Sequence, residues 1–287
     1  MRATRRGAGA FFGLLCAMAA LFWAPPSFAA DPTCEPGKLA TKYPSLVGKT
    51  LKLSVAGDSK PLSYRDPSNL DRMTGFSADQ ARAFADCIGV PIEFVISSFS
   101  GALAAVTAGQ VDAYWGTLFY TPERAKVVDL VIYMVGASGG VVPKGNPKNI
   151  RSLADLCGLR AVAPVGGIEQ VKLADTNQAC LNAKKPGLEI FTATDRPSAL
   201  RLLDNDRADL YLGLGLKQSY DEELYLLAFT YVNDLKTGIG VQKGNKDLEN
   251  AAYEAFMVMH KAGADKDLLA KYEIDPGLSL PPEIVVQ

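Results

Sequence analysis

The sequence predicts an α/β protein of two similar lobes, and three observations carry that expectation. The first is an internal repeat. "ALAAVTAGQVDAYWG" (102–116) and "ALRLLDNDRADLYLG" (199–213) align without gaps at an offset of 97 residues, with Ala102/Ala199, Leu103/Leu200, Asp112/Asp209, Tyr114/Tyr211 and Gly116/Gly213 identical. Each copy reads as the end of an amphipathic helix, a polar turn and a short buried strand. The second is the alternation of strand-like and helix-like segments on either side of residue 140, the pattern of α/β folds. The third is the lack of any low-complexity linker between the halves. Lobes joined by extended segments instead of a loose tether form a hinged pair.

The elements follow in order. Arg2, Arg5 and Arg6 precede the apolar run "AFFGLLCAMAALFWA", and small residues follow at Ser27 and Ala29. A basic start, an apolar stretch and a small-residue end read as a secretory signal peptide over residues 1–29. The run is too short for a good membrane span. Residues 30–49 form an N-terminal extension. "TLKLSVAG" (50–57) reads as a strand, 75–89 as a helix, 92–97 as a strand, 100–108 as a helix and 111–116 as a strand. Residues 128–145 read as extended. A second series starts near 152 and continues with strand 188–193, helix 197–204 and strand 208–213. A strand at 237–245, a helix at 247–262 and a shorter helix at 265–272 complete the chain.

Composition narrows the function. Without residues 1–29 the chain has 258 residues, with 27 basic side chains against 31 acidic ones and a net charge of −4. With no basic stripe, that argues against a nucleic-acid partner. His260 is the only histidine and no CxxC occurs, which disfavours histidine-based hydrolysis, zinc binding and redox chemistry. Four cysteines remain beyond the signal peptide, a number that suggests disulfides in an oxidising compartment and allows three pairings. Spacing favours Cys34–Cys87 and Cys157–Cys180, which keep each bridge within one half.

One short stretch breaks a local rule. In "FYTPERAKVVD" (119–129), Thr121 and Pro122 begin a helix, as N-cap and first helical residue. Arg124 then sits in the first turn, where a cation is disfavoured by roughly 0.3–1 kcal/mol. Something other than helix stability holds an arginine there.

The chain resembles the periplasmic solute-binding proteins of the polar amino-acid ABC-transporter type, family 3. The matching pieces are "TGFSADQARAFADCIGV", "FSGALAAVTAGQVDA", "YTPERAKVVD", "LADLCGLRAVAPVGG", "DRADLY" and "GIGVQKGNKDLENAAYEAF", in family order across about residues 50–272. The resemblance implies the type II periplasmic-binding-protein fold, two α/β lobes joined by two crossover strands that close on a small molecule. It places lobe one at 50–133 and 238–287, lobe two at 139–232, and the hinge at 134–138 and 233–237. It implies a periplasmic monomer that delivers a small-molecule ligand to an ABC-transporter permease in the inner membrane, with no catalysis and no cofactor or metal.

The resemblance also gives Arg124 a reason, a bidentate grip on a ligand carboxylate. Carried over residue by residue, it places Asp58, Tyr64 and Phe99 at the ligand, together with Trp115, Gly116 and Thr117 at the end of the repeated strand. Gly166, Gly167 and Ile168 would start a lobe-two helix whose free N–H groups bind a carboxylate. Two positions depart from the pattern. Phe119 stands where relatives have a hydroxyl that donates to the carboxylate, and Leu214 where they have an aspartate for the ligand's ammonium. Because an unpaired buried charge costs several kcal/mol, either another acid, Asp58 or Glu169, replaces that aspartate or the ligand is no ordinary α-amino acid. Two other readings remain open: an accessory protein with a drifted cleft, and a cyclohexadienyl dehydratase-like enzyme with Glu169 or Asp58 as its acid or base.

Overall fold

The computed structural model describes residues 34–286; the expected signal peptide lies outside them. After a short helix α1 (Leu39–Lys42), strand β1 (Leu51–Val55) leads into a small three-stranded sheet of β2 (Asp58–Ser59), β3 (Ser63–Asp66) and β4 (Asn69–Thr74). Helix α2 (Phe76–Ile88), β5 (Ile92–Ile96), α3 (Phe99–Thr107), β6 (Ala113–Phe119) and the single turn α4 (Pro122–Ala125) follow. Strand β7 (Val128–Pro143) then runs for 16 residues. The second series is β8 (Arg160–Pro164), α5 (Ile168–Asn182), β9 (Glu189–Ala193), α6 (Arg196–Asp204) and β10 (Leu210–Leu214). It returns through β11 (Tyr225–Gln242), 18 residues long, to α7 (Lys246–Ala262), α8 (Ala264–Lys271) and β12 (Ser279–Val285).

The main sheet has the order β5–β1–β6–β11–β7–β10–β8–β9, with β12 also paired to β7. The order is nearly a palindrome. On one side β1 lies parallel to β5 and β6; on the other β8 lies parallel to β9 and β10. The long antiparallel pair β7–β11 sits between them. Apolar side chains cluster accordingly. One core draws its buried residues from Tyr43 to Met134 and again from Ile239 to Ile274, a second from Ala102 to Ile132, and two more from the stretch between Val141 and Tyr225. This is the two-lobed α/β architecture expected from the repeat.

The repeat itself has a structural meaning. Asp112 Oδ2 accepts a hydrogen bond from the Lys52 backbone N–H at 2.8 Å, and Asp209 Oδ2 accepts one from the Arg160 N–H at 2.9 Å. Each aspartate therefore ties the start of its own strand region to the parallel neighbour, β1 or β8. The Tyr-x-Gly of each copy works alike. A Cβ on Gly116 would come within 2.5 Å of the Tyr114 hydroxyl, and one on Gly213 within 2.5 Å of the Tyr211 hydroxyl. Only glycine lets each tyrosine ring fold back over its strand.

Both expected disulfides form, Cys34–Cys87 and Cys157–Cys180. The first staples the N-terminal extension to α2. Loops closed over separations of 53 and 23 residues stabilise by roughly 3–4 kcal/mol each in the chain-entropy account. Among the described residues no helix is long and apolar enough to cross a membrane.

Three regions differ from the sequence expectation. Strands β2–β4 are short, and β4 is mostly exposed, so they lack the apolar alternation that marks a half-buried strand. β12 falls where the sequence predicts no element, and it contains Pro281 and Pro282. Its pairing with β7 skips them, running from Ser279 directly to Glu283, because proline has no N–H for the ladder. β11 begins twelve residues before the expected start at 237 and carries several register shifts against β7.

Candidate functional site

The α4 turn explains itself first. Thr121 Oγ1 accepts from the Arg124 backbone N–H at 3.2 Å, the N-cap expected from the sequence. The Arg124 side chain is only 7% exposed. Its Nη1 donates to the Phe119 carbonyl at 2.8 Å and its Nη2 to the Gly166 carbonyl at 3.0 Å, while the guanidinium lies 5.6 Å above the Phe99 ring. Gly166 belongs to the second α/β series, so this arginine spans the gap between the lobes. Burial pulls its pKa down, opposed by the negative charge of nearby Glu169 and by Tyr114.

Arg124 lines a cavity of about 130 Å³, similar in size to one of ~150 Å³ that accepts a benzene-sized guest. On the first-lobe side it is lined by Asp58, Ser97, Phe99, Tyr114, Thr117 and Phe119. On the other side stand Glu169, Thr194, Asp195, Arg196, Tyr211 and Leu214. Four aromatic rings, Phe99, Tyr114, Phe119 and Tyr211, stand among small polar residues and a few charged ones, the mix of apolar surface and placed polar groups usual in a small-molecule site. Burial in this enclosure pushes the Tyr114 and Tyr211 hydroxyls up to about 12, so both rings present neutral O–H groups.

Glu169 is the most deeply buried acid there, 5% exposed. Ser138 Oγ, on β7, donates to its Oε1 at 2.7 Å, and its own backbone N–H also bonds the carboxylate. Burial raises its pKa above the ordinary 4.5, against the lowering pull of Ser138, its own N–H and Arg124. A carboxyl raised in the folded state contributes stability that is complete below the unfolded pKa and is lost as pH rises through the folded one. Glu169→Gln should therefore gain in thermal midpoint relative to the ligand-free wild type as pH is raised from 4 to 8. Parallel pH profiles for the two proteins would contradict this.

The sequence-expected residues divide. Arg124, Asp58, Phe99, Thr117, Phe119 and Glu169 share the cavity, with Asp58 exposed at its rim. Three others stand elsewhere. Tyr64 lines a separate, shallower pocket with Lys271 and Tyr272, its ring 5.2 Å from the Lys60 ammonium. Trp115 is fully buried in the first-lobe core, 4.7 Å from Phe84 and 5.6 Å from Phe256 between ring centroids. It points to the opposite face of β6 from Tyr114, as the period of two requires. Gly116 is covered by the Tyr114 ring, and its carbonyl accepts from the Tyr133 hydroxyl at 3.3 Å.

The α5 N-terminus is not an open anion cradle either. The Gly166 N–H donates to Gln170 Oε1 and the Gly167 N–H to the Pro164 carbonyl, both at 3.0 Å. A Cβ on Gly167 would approach Glu169 Oε2 to 2.8 Å. The Glu169 carboxylate itself fills the space above the first turn, where a negative charge is favoured. Gly167 and Ile168 stand beside the cavity without lining it.

The model of the bacterial extracellular solute-binding proteins, family 3, matches residues 51–274. The chain belongs to that family. The L-cystine-binding protein TcyJ of Escherichia coli K12 is 25% identical over 229 residues, covering 78% of this chain and 82% of that one. A probable amino-acid ABC transporter periplasmic-binding protein, y4tE of Sinorhizobium fredii, is 26% identical over 240 residues, 77% of this chain and 76% of its own. Among solved structures, the ancestral amino acid-binding protein AncCDT-1, a precursor of cyclohexadienyl dehydratase, superposes with a TM-score of 0.67 at 24% identity. It covers 82% of this chain and 98% of its own. As a family 3 solute-binding protein the chain binds a small polar solute, and the cavity between its two lobes is the candidate site for it.

Sequence reasoning missed Tyr114, Tyr211 and Arg196. The tyrosines were already marked by the repeat as identical positions. Arg196 carries the same anomaly as Arg124. It follows a capping residue, Asp195, and stands in the first turn of α6 beside Pro197, where a cation is disfavoured.

Proposed function

We infer that the protein captures a compact, carboxylate-bearing solute, an amino acid or related organic acid, and delivers it to an ABC-transporter permease from the periplasm. The observation that carries this is Arg124. Its guanidinium is buried in the cavity wall, and its hydrogen-bond partners are neutral carbonyls. No carboxylate lies within ion-pair distance of it among the described residues, so its charge is available to an anion. Phe99, Phe119, Tyr114 and Tyr211 supply flat walls against an apolar portion of the ligand. Glu169, beside Arg124, is the acid positioned to receive an ammonium in place of the apolar Leu214.

Closure about residues 134–138 and 233–237 would bring the lobes onto the ligand without chemistry, by preferential affinity for the closed state. The relatives support this reading: one binds L-cystine by name, and another is described as a probable amino-acid ABC transporter periplasmic-binding protein. A thermal-shift screen of the refolded protein, as a monomer, against amino acids, other carboxylates and amines tests it. A carboxylate at a hundred times its Kd should add about 2.7 kcal/mol of stability. Stabilisation by amines alone, or consumption of the ligand, would refute it.

A further inference from the structure

Arg196 is the second cation of the cavity, and its environment mirrors that of Arg124. Its Nη1 donates to the carbonyls of Lys60 at 3.2 Å and Ser219 at 3.1 Å, and its Nη2 to Ser59 Oγ at 3.0 Å. The guanidinium sits 5.4 Å over the Tyr220 ring, which meets Tyr211 edge-on at 6.3 Å. Across the cavity Arg124 lies over Phe99, which meets Tyr114 edge-on at 6.1 Å. The two lobes thus present the same unit: an arginine on an aromatic ring, beside the tyrosine of the repeat. Each arginine also reaches the opposite lobe, Arg124 to Gly166 and Arg196 to Ser59 and Lys60.

Charge completes the picture. Like Arg124, Arg196 has no carboxylate within ion-pair distance among the described residues. None of the acids that share its cavity is placed to pair with it. Asp195 caps α6, accepting from the Ser198 N–H at 2.8 Å and from Thr194 Oγ1 at 3.1 Å. Glu169 is held by Ser138 at 2.7 Å, and Asp58 lies at the exposed rim, where water screens it. A guanidinium drawn partly out of water with only neutral partners favours a counter-charge.

We propose that Arg196 is a specificity-determining residue that receives a second anionic group of the solute, making the preferred ligand a compact diacid held between Arg124 and Arg196. One carboxylate lies on each lobe's arginine, and the aromatic rings flank the short spine between them. This rests on the reading of the cavity as a carboxylate site. It adds a requirement that reading does not make, because a monoacid would satisfy Arg124 alone.

The test is a ratio of affinities within isosteric pairs: succinate against succinamate, L-glutamate against L-glutamine, L-aspartate against L-asparagine. Dissociation constants would be measured by calorimetry on the full refolded protein. In the wild type at least one pair should favour the diacid by tenfold or more, about 1.4 kcal/mol. Arg196→Met should reduce that preference to within threefold. Arg196→Lys, which keeps the charge without the fork, should retain its sign at reduced size. Because Arg196 also bridges the lobes, replacing it will weaken closure on every ligand, but that common loss cancels in the ratio. Monoacids that bind as well as their diacid partners would overturn the role of Arg196 and leave the carboxylate reading standing, as would a preference that survives in Arg196→Met. If no carboxylate of either kind binds, both readings fall together.

Discussion

Arg124→Met should weaken carboxylate binding on the order of 10²–10³-fold, about 3–4 kcal/mol, the usual cost of truncating one partner of a buried charged contact. The residue spans the lobes, contacts the Phe119 and Gly166 carbonyls, and puts its charge into a cavity flanked by Phe99, Phe119, Tyr114 and Tyr211. A carboxylate concentration that stabilises the wild type by about 2.7 kcal/mol should stabilise a variant with hundredfold weaker affinity by only ~0.4 kcal/mol. Arg124→Lys should fall between the two, keeping the charge but losing the bidentate fork. Calorimetric titration of the three proteins reads this directly, and an unchanged Kd in Arg124→Met would remove Arg124 from the ligand. The substitution also takes away the positive charge that holds the Glu169 pKa down, so that carboxyl should titrate higher still.

Trp115→Ala should cost about 3–5 kcal/mol of stability, the usual range for emptying a core aromatic site, and leave the ligand's Kd within a factor of about three once the protein is folded. Trp115 has no exposed surface and packs between Phe84 and Phe256. Its indole N–H is buried without a hydrogen-bond partner among the described residues. Trp115→Phe keeps most of the volume and removes that unsatisfied donor, so it should cost well under half as much. Denaturant unfolding together with titration of the folded variants separates the two quantities. A Kd that rises in proportion to the lost stability would return Trp115 to the cleft.

The contrast between these two residues shows what the sequence could convey. Strands and helices with a clear apolar period were legible to within a few residues, as α2 and α7 show. The β2–β4 sheet and the proline-bearing β12 were not, because exposed edges and skipped hydrogen bonds leave no periodic trace. Arg124 was legible as a broken local rule, a cation in a helix's first turn. Trp115 and Tyr114 stand side by side on one strand, and the quoted stretch does not say which of two faces meets the cavity. The amides of Gly166 and Gly167 looked free in the sequence. Their internal partners, Gln170 and the Pro164 carbonyl, appear only when the loop is folded. Arg196 broke the same rule as Arg124 and could have been found by applying it twice.

The long strands β7 and β11 have a further consequence, for the order in which the chain can fold. They run through both halves of the sheet, so the boundary between lobes falls within strands and not between domains. The buried residues of the second-lobe cores come from one continuous stretch of chain, Val141 to Tyr225, whereas those of the larger first-lobe core come from both sides of it, including α7 and α8 near the end. A chain that emerges N-terminus first can assemble the second lobe while the first still waits for its last helices. The half that begins the sequence is therefore the half completed last, through contacts of long sequence separation, the slow kind to form.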